Sequence, residues 1–323
     1  MAPLLRVAGL DVRFGTRRGS LHAVRDVSLK LGRGETLCLV GESGSGKTTL
    51  SMALAGLLPD NALVSGSIAF GDREIVGLRE GALRAIRGRR IGIVFQDASR
   101  SLNPVLTIGY QIAEMLRRHL GMARAEATER AVELLEEVGV NDPRLRLGQY
   151  PHELSGGLKQ RVMIAIAIAC RPELLIADEP TTALDVTVQR QILRLLRRLC
   201  SERDLALILV THDFGVVSAM ADQVAVMYNG RIVEYADVFT LFRAPRHPYA
   251  AALLATNPRH VLEAAAGGEL RPIPGSPPNP LDHIAGCAFG PRCPRRHERC
   301  AVEPPLTSDR SGHAVACWYP SDA

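Results

Sequence analysis

The sequence predicts an α/β protein: a mostly parallel sheet, an additional antiparallel β element, a helical segment and a loop-rich C-terminal extension. Short apolar runs alternate with longer stretches of helical period, the pattern of strand–helix–strand units. One run leads directly into a glycine-rich loop and then a helix. Cysteine and proline crowd toward the end of the chain, where 13 of the 20 prolines lie from Pro245 onward.

Taken in order, Leu5 to Phe14 and Gly66 to Phe70 read as the antiparallel β element. Thr36 to Val40, Ile91 to Phe95, Leu174 to Ala177 and Leu205 to Val210 are short enough and apolar enough to be strands buried on both faces. Val224 to Met227 is a fifth, closed by the turn signal Asn229-Gly230. Helical spacing appears at Thr128 to Val138 and at Thr187 to Cys200, where apolar residues fall at 188, 192, 195, 196 and 199. The composition shift sets a boundary near residue 244: a body over 1–243, with a helical subdomain at about 97–172, and an extension over 244–323.

Composition excludes several classes. The 323 residues hold 46% apolar and 23% charged side chains, ordinary for a globular protein. The longest apolar run, Val162 to Cys170, is half the ~18 residues of a membrane span and is bounded by arginines. With polar residues at Arg6 and Asp11 in place of a signal peptide, a cytoplasmic location is expected, with membrane contact through a partner. Aromatics are 4% and lysines are only Lys30, Lys47 and Lys159, so no nucleic-acid surface is read from the modest +5 charge.

Three motifs carry chemistry. Gly41-Glu42-Ser43-Gly44-Ser45-Gly46-Lys47-Thr48 lies between a strand and a helix beginning at about Thr49, the context of a phosphate-binding loop. Its glycines let backbone N–H groups wrap an anion, Lys47 would bridge phosphates, and Thr48 would ligate Mg²⁺. Leu174 to Glu179 is an apolar strand ending in two carboxylates: Asp178 is placed to bind Mg²⁺ and Glu179 to polarise an attacking water. Leu154-Ser155-Gly156-Gly157-Leu158-Lys159-Gln160 opens a helix, with Ser155 as N-cap. A glycine pair there costs entropy, and the close approach of a second phosphate would explain it.

With these motifs in this order, the chain resembles the nucleotide-binding subunits of ATP-binding cassette (ABC) transporters, so the fold is expected to be a P-loop NTPase core of the ABC type. Gln96 in Val94-Phe95-Gln96-Asp97, the segment Ala183-Leu184-Asp185 and His212 in Val210-Thr211-His212-Asp213 fall at the family's remaining positions. The resemblance implies ATP and Mg²⁺ as cofactors. It implies that Phe14 stacks on adenine, and that Gly41, Ser43, Gly44, Ser45, Gly46, Lys47, Thr48 and Thr49 hold the phosphates. Gln96 would sense Mg²⁺ and the membrane partner, His212 would contact the γ-phosphate, and Glu179 would be the base. Two such subunits work head to tail, so Ser155, Gly156, Gly157, Gln160 and Asp185 would serve the ATP held by the other subunit.

Ser101-Leu102-Asn103-Pro104, Tyr150-Pro151-His152, Asp185 to Gln189 and His247-Pro248-Tyr249 are similar to the oligopeptide/dipeptide importer branch; Ala98 departs from it, where proline is usual. The branch implies peptide import, two membrane permease subunits, a related second ATPase subunit, an extracytoplasmic substrate-binding protein and a peripheral place on the cytoplasmic face of the membrane. It also includes importers of nickel and other small solutes. A soluble ABC ATPase acting on nucleic acid would carry two cassettes or a coiled coil, and an exporter would carry fused membrane helices.

Cys287, Cys293, Cys300 and Cys317 are spaced C-x5-C-x6-C-x16-C. From the residues alone a metal site and free thiols stand equal: no C-x2-C knuckle supports zinc, and a reducing compartment opposes disulfides. The resemblance favours a 4Fe–4S cluster, with zinc as the alternative. His283, His297 and His313 read as surface residues. Because every ATP motif precedes residue 244, loss of the tail thiols is expected to disturb the tail more than catalysis.

Overall fold

The computed structural model describes residues 2–17, 19–182, 184–256, 272–279, 281 and 284–321. Ala183 and His283 lie outside them. The chain divides into two compact units, one of Met1–Gly32, Thr36–Val76 and Val210–Ala323, the other of Arg33–Glu35 and Gly77–Leu209.

The first unit holds two sheets. The antiparallel one runs in the order Gly19–Leu31, Leu5–Thr16, Ala62–Phe70, Arg73–Glu74. Its first strand buries Leu5 and Val7, then Leu10 and Val12, so the inward phase slips by one residue. The slip falls at Gly9 (φ 54), where the register to both neighbouring strands breaks. Opposite it, a side chain at Gly66 would lie 2.2 Å from the Gly9 carbonyl.

The other sheet orders Thr307–Ser308, Ala314–Val315, Arg231–Asp237, Gln223–Tyr228 and Thr36–Val40. The last two are parallel, with Leu39 beside Ala225, and the five residues of Thr36–Val40 are all buried. Asn229 (φ 47) and Gly230 (φ 80) make the hairpin with both residues left-handed, as a two-residue turn of that hand requires. The tail belongs to this unit: Val315 pairs with Glu234 and Ala314 with Tyr235. Beneath that pairing Glu234, fully buried, accepts the backbone N–H groups of Arg246 and His247 and lies 2.7 Å from His313 Nε2. His313 is therefore a buried residue, not the surface residue expected.

The second unit has the strand order Ala206–Val210, Leu174–Asp178, Ile91–Val94, the last two parallel. Helices Ala98–Ser101, Ile108–Leu120, Arg124–Glu137, Pro143–Leu147 and Gly156–Ile168 fill the stretch expected to be helical. Ile108–Leu120 buries Ile108, Ile112 and Leu116, one face at four-residue spacing. Gly156–Ile168 packs directly on the strands: a side chain at Gly92 would meet the Ala167 carbonyl at 2.3 Å. Val186–Arg203 buries Ile192, Leu195, Leu196, Leu199 and Cys200. Among the described residues no helix is long and apolar enough to cross a membrane.

Candidate nucleotide site

The phosphate loop leaves the strand Thr36–Val40 and enters the helix Lys47–Leu54. Gly41 (φ 152), Gly44 (φ 79) and Gly46 (φ 101) have backbones that favour glycine, and a Cβ at Gly41 or Gly46 would strike the carbonyl of Met227 or Ala23 at 2.2 or 2.4 Å. The Lys47 ammonium, only 6% exposed, donates to the Gly41 and Glu42 carbonyls at 2.8 and 2.9 Å. No side chain caps the helix at Gly46, and no acid stands in its first turn. Its amino end thus keeps backbone donors and a positive dipole end for a bound anion. The residues present fit a nucleotide phosphate chain. Thr48 is exposed and Thr49 half-buried in the same turn; Ser43 and Gly44 are exposed, and Ser45 is buried. In the same unit, half-buried Phe14 pairs with Leu21 and Ala62 near the end of its strand, and His212 is exposed beside Asp213, the N-cap of Phe214–Met220.

The second unit brings Gln96 and Glu179 together. The Gln96 amide donates to Glu179 Oε2 at 3.0 Å, and the Thr182 hydroxyl donates to the same oxygen at 2.9 Å. Glu179 sits at φ 45, a left-handed backbone unusual for a long side chain, immediately after the buried Asp178. Such strain marks a carboxylate held at one place.

The glycine-pair helix divides its residues. Ser155 caps it, accepting from the Leu158 N–H at 3.4 Å, and is exposed with Gly156. A side chain at Gly156 would meet only Leu184, at an ordinary 3.7 Å, whereas one at Gly157 would lie 2.8 Å from Val188. Packing against Val188 thus gives Gly157 an intrachain reason to be glycine, whereas Gly156 meets no close contact. Gln160 is buried inside the helix, away from the exposed turn. Asp185 caps Val186–Arg203, accepting from the N–H groups of Thr187 and Val188 at 3.0 and 2.9 Å.

The family model for ABC transporters matches residues 24–182, and that for the C-terminal region of oligopeptide/dipeptide transporters matches residues 233–300. The oligopeptide transport ATP-binding protein OppD of Salmonella typhimurium is 49% identical over 98% of this chain and 94% of its own. The chain belongs to the ABC transporter family, in its oligopeptide/dipeptide branch. This ABC subunit is an ATPase. A putative peptide import ATP-binding protein of Brucella melitensis is likewise 49% identical, covering 98% of this chain and 96% of its own. Among solved structures, the dimer of the ATP-binding cassette MJ0796 bound to ADP and phosphate aligns with a TM-score of 0.66 at 28% identity, over 72% of this chain and 98% of that one. The cbiO1 subunit of the Clostridium perfringens transporter complex cbiONQ aligns with a TM-score of 0.62 at 30% identity, over 75% and 92%.

In the ABC subunit's tail, Cys287, Cys293, Cys300 and Cys317 all line one cavity, beside Phe289 and Trp318. Burial pushes the thiols of Cys287, Cys293 and Cys317 up, and neighbouring cysteines push the same way. Backbone N–H groups oppose this by donating to the sulfurs, from Phe289 and Gly290 to Cys287, from Arg295 to Cys293 and from Tyr319 to Cys317. Among the described residues no group of three His, Cys, Asp or Glu is placed to hold a metal ion, so neither the expected 4Fe–4S cluster nor the zinc alternative has a formed ligand set.

Glu42, Tyr249 and Arg292 were not picked out as part of this site by the sequence. The Arg292 guanidinium grips the Glu42 carboxylate with two bonds, 2.6 and 3.0 Å, and the Tyr249 hydroxyl accepts the Glu42 N–H at 2.8 Å. A tail remote from the ATP motifs, as their positions in the sequence imply, is not what folds.

Proposed function

We propose that this ABC subunit energises peptide import across the cytoplasmic membrane, from the cytoplasmic face, through ATP-driven closure of a head-to-tail pair. The observation that carries the reading is similarity to OppD along nearly the whole chain, including the branch's C-terminal region. The partners would be a related second ATPase subunit and two permease subunits, with a substrate-binding protein supplying peptide outside. Lys47 and the loop amides would hold the β- and γ-phosphates, Thr48, Gln96 and Asp178 the Mg²⁺, and Phe14 the adenine. Glu179, fixed by Gln96 and Thr182, would take the proton of the attacking water, with His212 toward the γ-phosphate. Ser155, Gly156, Gly157, Gln160 and Asp185 would serve the partner's nucleotide; exposure of Ser155, Gly156 and Asp185 supports that role.

The tail thiols would hold a 4Fe–4S cluster. Four sulfurs around one cavity, with backbone N–H donors aimed at three of them, suit a polynuclear centre that spreads its ligands wider than one ion does. The cluster's role would be structural, supplying ligand bonds that order a proline-rich segment.

Reconstitution in vesicles with the permeases and binding protein tests the transport reading: ATP-dependent uptake of a labelled oligopeptide is expected. Uptake of nickel in its place, or no association with membrane subunits, defeats it. Lys47→Ala tests the site, since loss of nucleotide binding and turnover is expected from the folded variant.

A further inference from the structure

We propose that Arg292 of the tail is a positioning residue for the phosphate loop, acting through Glu42. The arginine is 7% exposed and uses its whole fork. Its Nη atoms meet both Glu42 oxygens, Nε donates to the Pro274 carbonyl at 2.9 Å, and Nη1 also reaches the Tyr228 hydroxyl at 3.3 Å. Glu42 is the second residue of the loop, so its carboxylate stands next to a site built for a polyanion. Left alone, that charge would repel the phosphates and would be costly to keep half-buried. Paired in two-pronged fashion, it is neutralised and fixed in direction. Tyr249, fully buried, holds the backbone of the same residue. The loop's second residue is thus pinned at side chain and main chain, by groups 250 and 207 positions away in sequence. Arg292 is in turn set by its surroundings: Phe289 packs edge-on against Tyr228, and the next residue is Cys293.

The charge argument gives a sign that packing alone does not. In full-length protein, Arg292→Gln should raise the KM for ATP about tenfold, the scale of one uncompensated nearby charge, with little change in kcat. Glu42→Gln should leave KM at or below the wild-type value. The double variant Arg292→Gln/Glu42→Gln should return KM to within about twofold of wild type, because the carboxylate that Arg292 neutralises has gone. If the double variant stays as weak as Arg292→Gln, the arginine acts only by packing the tail, and the inference fails. It fails equally if Arg292→Gln leaves KM unchanged. Should Arg292→Gln not fold, Arg292→Lys, which keeps the charge but loses the fork, should hold KM within about twofold of wild type; a tenfold rise in Arg292→Lys would show that packing and not charge is what matters, and the inference fails. The inference rests on the phosphate-loop reading, which Lys47→Ala tests separately: nucleotide binding lost in Lys47→Ala but unaltered in Arg292→Gln overturns this inference alone.

Discussion

The side-chain amide of Gln96 donates to Glu179 Oε2 across 3.0 Å, on the oxygen that also accepts from Thr182. Two donors on one oxygen fix the direction of the carboxylate, as the proposed role of Glu179 as general base would require. Glu179→Gln should lower turnover by about 10²-fold or more while ATP still binds. Gln96→Ala should lower it less, because Thr182 still holds the carboxylate. Single-turnover hydrolysis beside equilibrium nucleotide binding separates the two effects; normal turnover in Glu179→Gln would move the base elsewhere.

The two glycines after Ser155 should behave differently. Gly157→Ala drives a methyl against Val188, 2.8 Å away, and should destabilise the fold by about 1–3 kcal/mol. Adding Val188→Ala should recover most of that in thermal melts. Gly156→Asp meets only ordinary contact and should melt like wild type. Its isolated subunit should bind ATP normally, yet the assembled pair should lose ATPase activity. A Gly156→Asp subunit that binds ATP poorly by itself would put this turn in the same-chain pocket.

His247 is buried, and its Nδ1 caps Pro248–Ala255 by accepting the Tyr249 N–H at 3.0 Å. Burial pushes its pKa down to about 3 from the ordinary 6.5. The folded state therefore excludes a proton that the unfolded chain takes up below about 6.5. This contribution to stability is complete above that pH and is lost as pH falls from there toward 3. The slope is at most about 1.4 kcal/mol per pH unit. His247→Asn, a cap that does not titrate, should flatten the loss of stability between pH 6.5 and 5, read from urea midpoints. An unchanged slope would show that His247 is not the titrating group.

Anaerobically purified protein should be brown, with iron and acid-labile sulfide. Cys293→Ser should lose both and expose the tail to proteolysis. Since Arg292 precedes that cysteine, the KM for ATP should rise with it, as in Arg292→Gln. Colourless protein with one zinc would replace the cluster with a mononuclear site; four alkylatable thiols without metal would remove both.

Much of this arrangement was legible in the chain. The buried strands Thr36–Val40 and Leu174–Asp178 were found because a strand covered on both faces is apolar throughout and short. The phosphate loop was found because its glycines answer a steric demand at fixed spacing. Gly19–Leu31 is not legible as a strand: Asp26 at φ 48 and shifts of register along its pairing with Leu5–Thr16 break the alternation that identifies a half-buried strand. The contact that Gly157 makes with Val188 is not legible in the sequence, since nothing local reveals Val188 across the next helix. Arg292 could not be singled out among 36 arginines, since its partner is 250 positions away and no spacing rule joins them.

That separation has a consequence for how the subunit comes into being. Synthesis from the amino end delivers the phosphate loop early, and every ATP motif is complete by residue 213. Tyr249 and Arg292, which hold Glu42, emerge only later. A nascent chain, or a fragment ending near 244, carries the loop with its carboxylate unneutralised. If Arg292 acts on the loop as proposed, tight grip on nucleotide would arrive with the last quarter of translation, and a ribosome-bound or clipped subunit would compete poorly for cellular ATP.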